Sequence, residues 1–159
     1  MADPEVSLRP VQPEDEELLL RVYASTRAEE LAPVPWTEAE KDAFVRMQFQ
    51  AQHRYYHQHY ADGEFSVVLV GGEAAGRLYL FRGAKELRIV DITLLPEFRG
   101  RGIGRTLLTG ILREGDRAGL PVRIHVERNN PALRLYRELG FRAVGEVGVY
   151  DFMERLPAP

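Results

Sequence analysis

Apolar residues recur along the chain with two periods, near 3.6 and 2, and the points where one replaces the other divide it into elements. Residues 6–9 suffice only for an edge strand, closed by Pro10 and Pro13. Glu14, Asp15, Glu16 and Glu17 then place acids in a first helical turn, where they complement the helix N-terminus. Leu18, Leu19, Val22 and Tyr23 carry that helix towards Leu31, and Pro33 and Pro35 stop it. Thr37-Glu38-Ala39-Glu40 is a capping box that opens a second helix. Phe44, Met47, Ala51 and Tyr55 recur along it at helical spacing as far as about Tyr60, with Phe44 and Met47 read as core. Residues 65–70 and 75–81 are two strands joined at Gly71-Gly72 as a hairpin. Leu87, Ile89, Val90, Ile92, Leu94 and Leu95 form a nearly continuous apolar run, the pattern of a strand buried on both faces, and Pro96 ends it. Leu107, Leu108, Ile111 and Leu112 mark the next helix, closed by Gly119, and Val122, Ile124 and Val126 alternate as a further strand. Strand, helix and strand of this length make one right-handed crossover, so those two strands should be parallel. Asn130 then reads as an N-cap with Pro131 at the first helical position, followed by Leu133, Leu135, Tyr136 and Leu139 and a stop at Gly140. Residues 142–155 read as a final antiparallel pair of strands.

The implied fold is a single α/β (α+β) domain over residues 1–159, with about four helices. Its sheet is mixed and mostly antiparallel, of six to seven strands, with one parallel pair at the centre. A hydrophobic content of 45% and 28% charge are those of a soluble globular chain. No apolar run reaches the length of a membrane span, and the first ten residues show no secretory signal, so a cytoplasmic protein without a membrane partner is expected. The absence of cysteine excludes disulfides, thiolate metal sites and an acyl-cysteine intermediate. A net charge of −3 argues against nucleic acid as a partner.

The candidate chemistry lies in residues 86–105, where the apolar strand runs into Arg99-Gly100-Arg101-Gly102-Ile103-Gly104-Arg105 and a helix follows. Missing side chains let backbone amides approach an anion, the helix N-terminus adds partial positive charge, and three arginines surround it. No Walker loop occurs in the chain. A dinucleotide fingerprint is matched imperfectly, because the third glycine of Gly100, Gly102 and Gly104 falls one residue early; Glu127 would then be the ribose-binding acid. His53 and His57 share a helical face, but without a third ligand they indicate no metal site.

Arg99, two residues, Gly102, one residue and Gly104, after a strand ending in Leu94-Leu95-Pro96, resembles the acetyl-coenzyme A pyrophosphate loop of the GNAT superfamily of N-acetyltransferases. Asn129-Asn130-Pro131, Leu135-Tyr136 and Gly140-Phe141 resemble that family's closing motif. The two motifs lie within residues 86–152. The resemblance implies transfer of an acetyl group from acetyl-coenzyme A to an amino group, by direct attack and without a covalent enzyme intermediate. It implies that the backbone of Ile92, Thr93 and Leu94 holds the pantetheine arm like an added strand. The amides of Gly100, Arg101, Gly102, Ile103, Gly104 and Arg105 would hold the pyrophosphate, and Asn129 or Asn130 would contact the cofactor opposite, with Asn129 favoured because Asn130 is already a cap. Tyr136 would be the general acid to the thiolate, although its helical spacing also suits core packing.

An alkylammonium acceptor is about 99.9% protonated at neutral pH, a cost of roughly 4 kcal/mol, so a route for its proton is needed. Asp91, on the central strand, is the first candidate base, with His125, Glu127 and a water chain as alternatives. A structural reading of Asp91 pairs it with Arg88 or Arg123. By the same resemblance, the helices in residues 14–60 and the Trp36 connection cover the acceptor, a small amine or a protein amino group, and a homodimer is one assembly open to the chain. A non-catalytic acyl-coenzyme A sensor on the same fold, and a nicotinamide enzyme dependent on Glu127, are the alternatives.

Overall fold

The computed structural model describes residues 5–159; residues 1–4, the start of the stretch read as free of a secretory signal, lie outside them. In chain order come β1 (Val6–Pro10), α1 (Glu16–Leu31), α2 (Glu38–His59), β2 (Glu64–Val70), β3 (Glu73–Arg82), β4 (Leu87–Leu94), α3 (Ile103–Ala118), β5 (Val122–Glu127), α4 (Leu133–Glu138), β6 (Arg142–Val147) and β7 (Tyr150–Arg155). The strands form one sheet in the order β1-β2-β3-β4-β5-β7-β6, antiparallel throughout except where β4 meets β5. The sequence thus anticipated the mixed sheet, its parallel pair and the helices. No helix of the described residues is long and apolar enough to cross a membrane.

Local chemistry sets several boundaries. The Thr37 hydroxyl accepts from the Glu40 amide and the Glu40 carboxylate accepts from the Thr37 amide, both at 3.1 Å, so the capping box forms as read. The acids before α1 divide their work. Asp15 ends a 3-10 turn, Pro13–Asp15, and is buried against the Arg9 guanidinium at 2.8 Å, while Glu16 and Glu17 occupy the first turn of α1. The Arg9 hydrogen bond holds the Asp15 carboxyl below its ordinary range.

Two expectations are corrected. The stripe of Phe44, Met47, Ala51 and Tyr55 does not face the core: Met47 is 62% and Tyr55 51% exposed, whereas Val45 and Phe49 are buried. The inward face of α2 turns polar along its second half, because Gln52 and Tyr56 meet charged groups on the sheet rather than apolar ones. Nor is β4 buried on both faces along its length. It pairs with β5 only at Leu87, Ile89 and the Arg88 between them, and from Val90 onward it is half-buried.

A bulge explains the change of environment. Tyr79 pairs with Asp91 and the next residue, Leu80, with Ile89, so Val90 is an extra residue in β4. Before it, Leu87 and Ile89 join the core formed with Leu107, Leu108, Ile111 and Leu112 of α3. After it, Ile92 and Leu94 pack against that same core, and Asp91 turns to the opposite side, where α2 lies. Beside this segment, Gly76 of β3 lets the two strands approach closely: a Cβ there would stand 2.1 Å from the Thr93 carbonyl oxygen and 2.9 Å from Leu94 Cα. Gly76→Ala is therefore expected to lower stability by about 2–4 kcal/mol through backbone displacement of β4, measurable by urea unfolding.

Candidate active site

Beyond Ile89 and Ile124 the parallel strands part. β4 continues paired only with β3, and His125, Val126 and Glu127 of β5 pair only with β7. A fork opens in the middle of the sheet, and each facing edge carries backbone donors and acceptors with no strand opposite. Alternation along the strand is fixed by the Leu95 amide, which donates to the Ala75 carbonyl at 2.8 Å, and it turns the Leu94 amide into the fork.

At the mouth, a 3-10 turn, Pro96–Phe98, leads into the glycine loop. Gly100 and Gly102 have φ of +74° and +80°, and Gly102 caps α3, whose first turn contains no acid. The arginines are not equivalent. Arg99 donates to the Leu94 carbonyl at 3.0 Å, Arg101 lies over the Phe98 ring at 5.3 Å, and Arg105 pairs with Glu138 of α4 at 2.5 Å. Thus Arg99 and Arg105 brace the loop against its neighbours, and Arg101 retains a charge unpaired among the described residues.

The other wall is α4. It starts two residues later than Asn130 and Pro131 implied: the Asn130 carboxamide oxygen accepts from the Ala132 amide at 2.8 Å, within the turn that precedes the helix. Asn130 is therefore occupied, while Asn129 is exposed and makes no side-chain hydrogen bond to the described residues. Tyr136 is buried edge-on against Phe141, with ring centroids 5.6 Å apart. Its hydroxyl bonds to no described residue, yet Arg77 Nε is the one sealed, unpartnered side-chain nitrogen or oxygen among those residues, so the phenol oxygen is not shut off from solvent. Burial, then the Asp91 charge, pushes the Tyr136 phenol upward and keeps it protonated.

Asp91 pairs with neither Arg88 nor Arg123, which serve Glu86 and Glu154 at the closed end of the fork. It accepts instead from Arg77 Nη2 at 2.8 Å, the Tyr56 hydroxyl at 3.1 Å and Thr93 Oγ1 at 2.7 Å. The alternative bases are also engaged. Glu127 lies 3.8 Å from Arg27, and His125 stacks on Phe152 with Nδ1 3.0 Å from Arg88; burial, then Arg88, holds that imidazole below its ordinary value. Among the described residues no group of three side chains could hold a metal, and the His53 and His57 rings simply stack edge-on at 4.3 Å. Arg77 and Tyr56 were missed in the sequence. The available signal was an arginine among strand residues, between Gly76 and Leu78, where a charge requires a buried partner.

An internal fork with free backbone edges, a glycine loop at its mouth and a tyrosine on its far wall define the acetyltransferase class. The chain belongs to the acetyltransferase (GNAT) family, whose sequence pattern matches residues 25–141. It is an N-acetyltransferase with acetyl-coenzyme A as its donor substrate. A Mycobacterium tuberculosis protein, N-alpha-acetyltransferase RimI, is 37% identical over 91 residues, 56% of this chain and 55% of that protein. A Bacillus subtilis protein provisionally named as the alanine N-acetyltransferase of ribosomal protein bS18 is 27% identical over 114 residues, 70% of this chain and 67% of that one. The PaiA N-acetyltransferase of Thermoplasma acidophilum, solved with coenzyme A, shares the fold with a TM-score of 0.71 at 22% identity, over 96% of this chain and 99% of its own.

Proposed function

We propose that the chain acetylates the α-amino group of a polypeptide by direct attack on acetyl-coenzyme A lying in the fork. The observation that carries the donor site is the pair of unpaired edges beyond Ile89 and Ile124, which suits an extended amide-bearing arm bonded as a strand would be. Ile92, Thr93 and Leu94 supply that edge, and the Leu94 amide is placed to donate to the thioester carbonyl oxygen. Gly100, Arg101, Gly102, Ile103, Gly104 and Arg105 supply amides and charge for the diphosphate, with Arg99 bracing the loop. Asn129 contacts the cofactor from α4. Tyr136 protonates the departing thiolate, and Asp91 receives the proton of the acceptor amine, directly or through water. The polypeptide acceptor is supported by the names of the two relatives above.

Calorimetric titration is expected to show micromolar binding of acetyl-coenzyme A and none of NAD. Thiol release should then occur with a peptide bearing a free N-terminus and cease when that amine is blocked. Binding without thiol release from any peptide or small amine would instead identify an acyl-coenzyme A sensor, and binding of NAD alone would overturn the donor site.

A further inference from the structure

The geometry points to Arg77 as a positioning residue for the acceptor half of the reaction: from β3 it fixes the Asp91 carboxylate in one rotation, with a single site left for the acceptor amine. This inference rests on the acetyl-transfer reading above.

A carboxylate offers about four hydrogen-bonding sites. Three donors already occupy Asp91, with Arg77 and Tyr56 on Oδ2 and Thr93 on Oδ1. Coming from β3, α2 and β4, they leave little freedom to rotate and one site on Oδ1. The side chain as a whole retains 10% exposure. The phenols of Tyr79 on β3, Tyr136 on α4 and Tyr150 on β7 also feel the Asp91 charge, and all three are held above their ordinary value chiefly by burial. Among the described residues, Arg77 is the one cation in ion-pair contact with Asp91.

Stability gives a poor account of this arrangement. Arg77 is 2% exposed between the Tyr79 and Tyr23 rings, at 5.2 and 6.0 Å, and its Nη2 bonds to both Asp91 and Gln52. Its Nε is sealed from solvent without a partner. Burying a guanidinium while leaving one donor unmet is costly, and apolar residues of similar volume at both positions would commonly be as stable or more so. The pair does place a negative group at the fork, on the side where α1 and α2 close over it.

The test compares Arg77→Lys, which keeps a cation, and Arg77→Met, which removes it, with the wild-type chain. Thiol release is measured from pH 5 to pH 9 with a hexapeptide bearing a free N-terminal alanine, and aspartate carboxyl resonances are followed by 13C NMR. Acetyl-coenzyme A affinity should stay within about twofold, and kcat/KM for the peptide should fall roughly tenfold in Arg77→Lys and 100-fold in Arg77→Met. The acid limb of the Arg77→Met profile should move up by at least about one pH unit, with the Asp91 resonance titrating in step, because a buried carboxylate without its cation takes up a proton more readily. A loss of equal size at every pH, or an Asp91 resonance that titrates alike in all three proteins, overturns the inference and makes Arg77 a packing residue. Should Arg77→Met fail to fold, the Arg77→Lys resonance and profile decide alone. No thiol release by the wild type would count against the acceptor reading, and the resonance would still decide whether Arg77 controls Asp91.

Discussion

Replacing Tyr136 with phenylalanine is expected to lower turnover by about 100-fold or more while leaving the acetyl-coenzyme A dissociation constant within about twofold. The two readings of this residue, acid and core, separate cleanly in the structure. Its ring is core: it is buried, packs edge-on against Phe141 and lies within the main apolar cluster. Its hydroxyl has no partner among the described residues, so removing it breaks no bond to them and leaves no orphan there. Tyr136→Phe should accordingly melt within a few degrees of wild type, and what disappears is a protonated donor beside the fork. Stopped-flow thiol release, set against calorimetric affinity, checks both halves. A fall in affinity as large as the fall in turnover would assign Tyr136 to packing alone.

Gly102→Asp should act on the other half of the reaction. Gly102 caps α3 with φ at +80°, and a Cβ there would meet nothing within 4 Å, so the fold itself can accept a side chain at the cost of about 1–2 kcal/mol of backbone strain. A carboxylate at the tip of the helix would occupy the positive end proposed to hold the diphosphate and repel it. Acetyl-coenzyme A affinity is expected to fall by at least about 100-fold, close to 2.8 kcal/mol. Gly102→Ala carries the same strain without the charge. Calorimetry should therefore show a much smaller loss for alanine, with both variants melting lower by a similar amount; equal losses would mean that loop shape rather than charge governs binding.

Features written in short sequence were legible. The glycine loop and the Asn-Pro, Leu-Tyr, Gly-Phe run are each local, and their order around a strand-helix-strand crossover was enough to imply the parallel pair and the family resemblance. What escaped depends on register across strands. Arg77 and Asp91 are fourteen positions apart and meet only because β3 and β4 pair in a particular alignment, so Arg88, nearer in sequence, and Arg123, on the neighbouring strand, looked equally eligible. The stripe on α2 misled for a related reason. Helical spacing identifies which residues share a face, but the polar partners waiting at Arg77 and Asp91 decide which face turns inward.

The extra residue at Val90 carries a lesson for comparing chains. Apolar side chains in β4 fall at odd positions before it and at even positions after it, so the strand changes parity within one residue. Aligning this segment to a relative that lacks the insertion, by matching its apolar positions from the N-terminal end, sets the acid opposite a residue on the other face of the sheet. Deleting Val90 would by contrast restore regular alternation, with Leu87, Ile89, Ile92 and Leu94 on the α3 face and the carboxylate still on the face of α2, so the parity of the strand and not the side of the acid is what the extra residue changes.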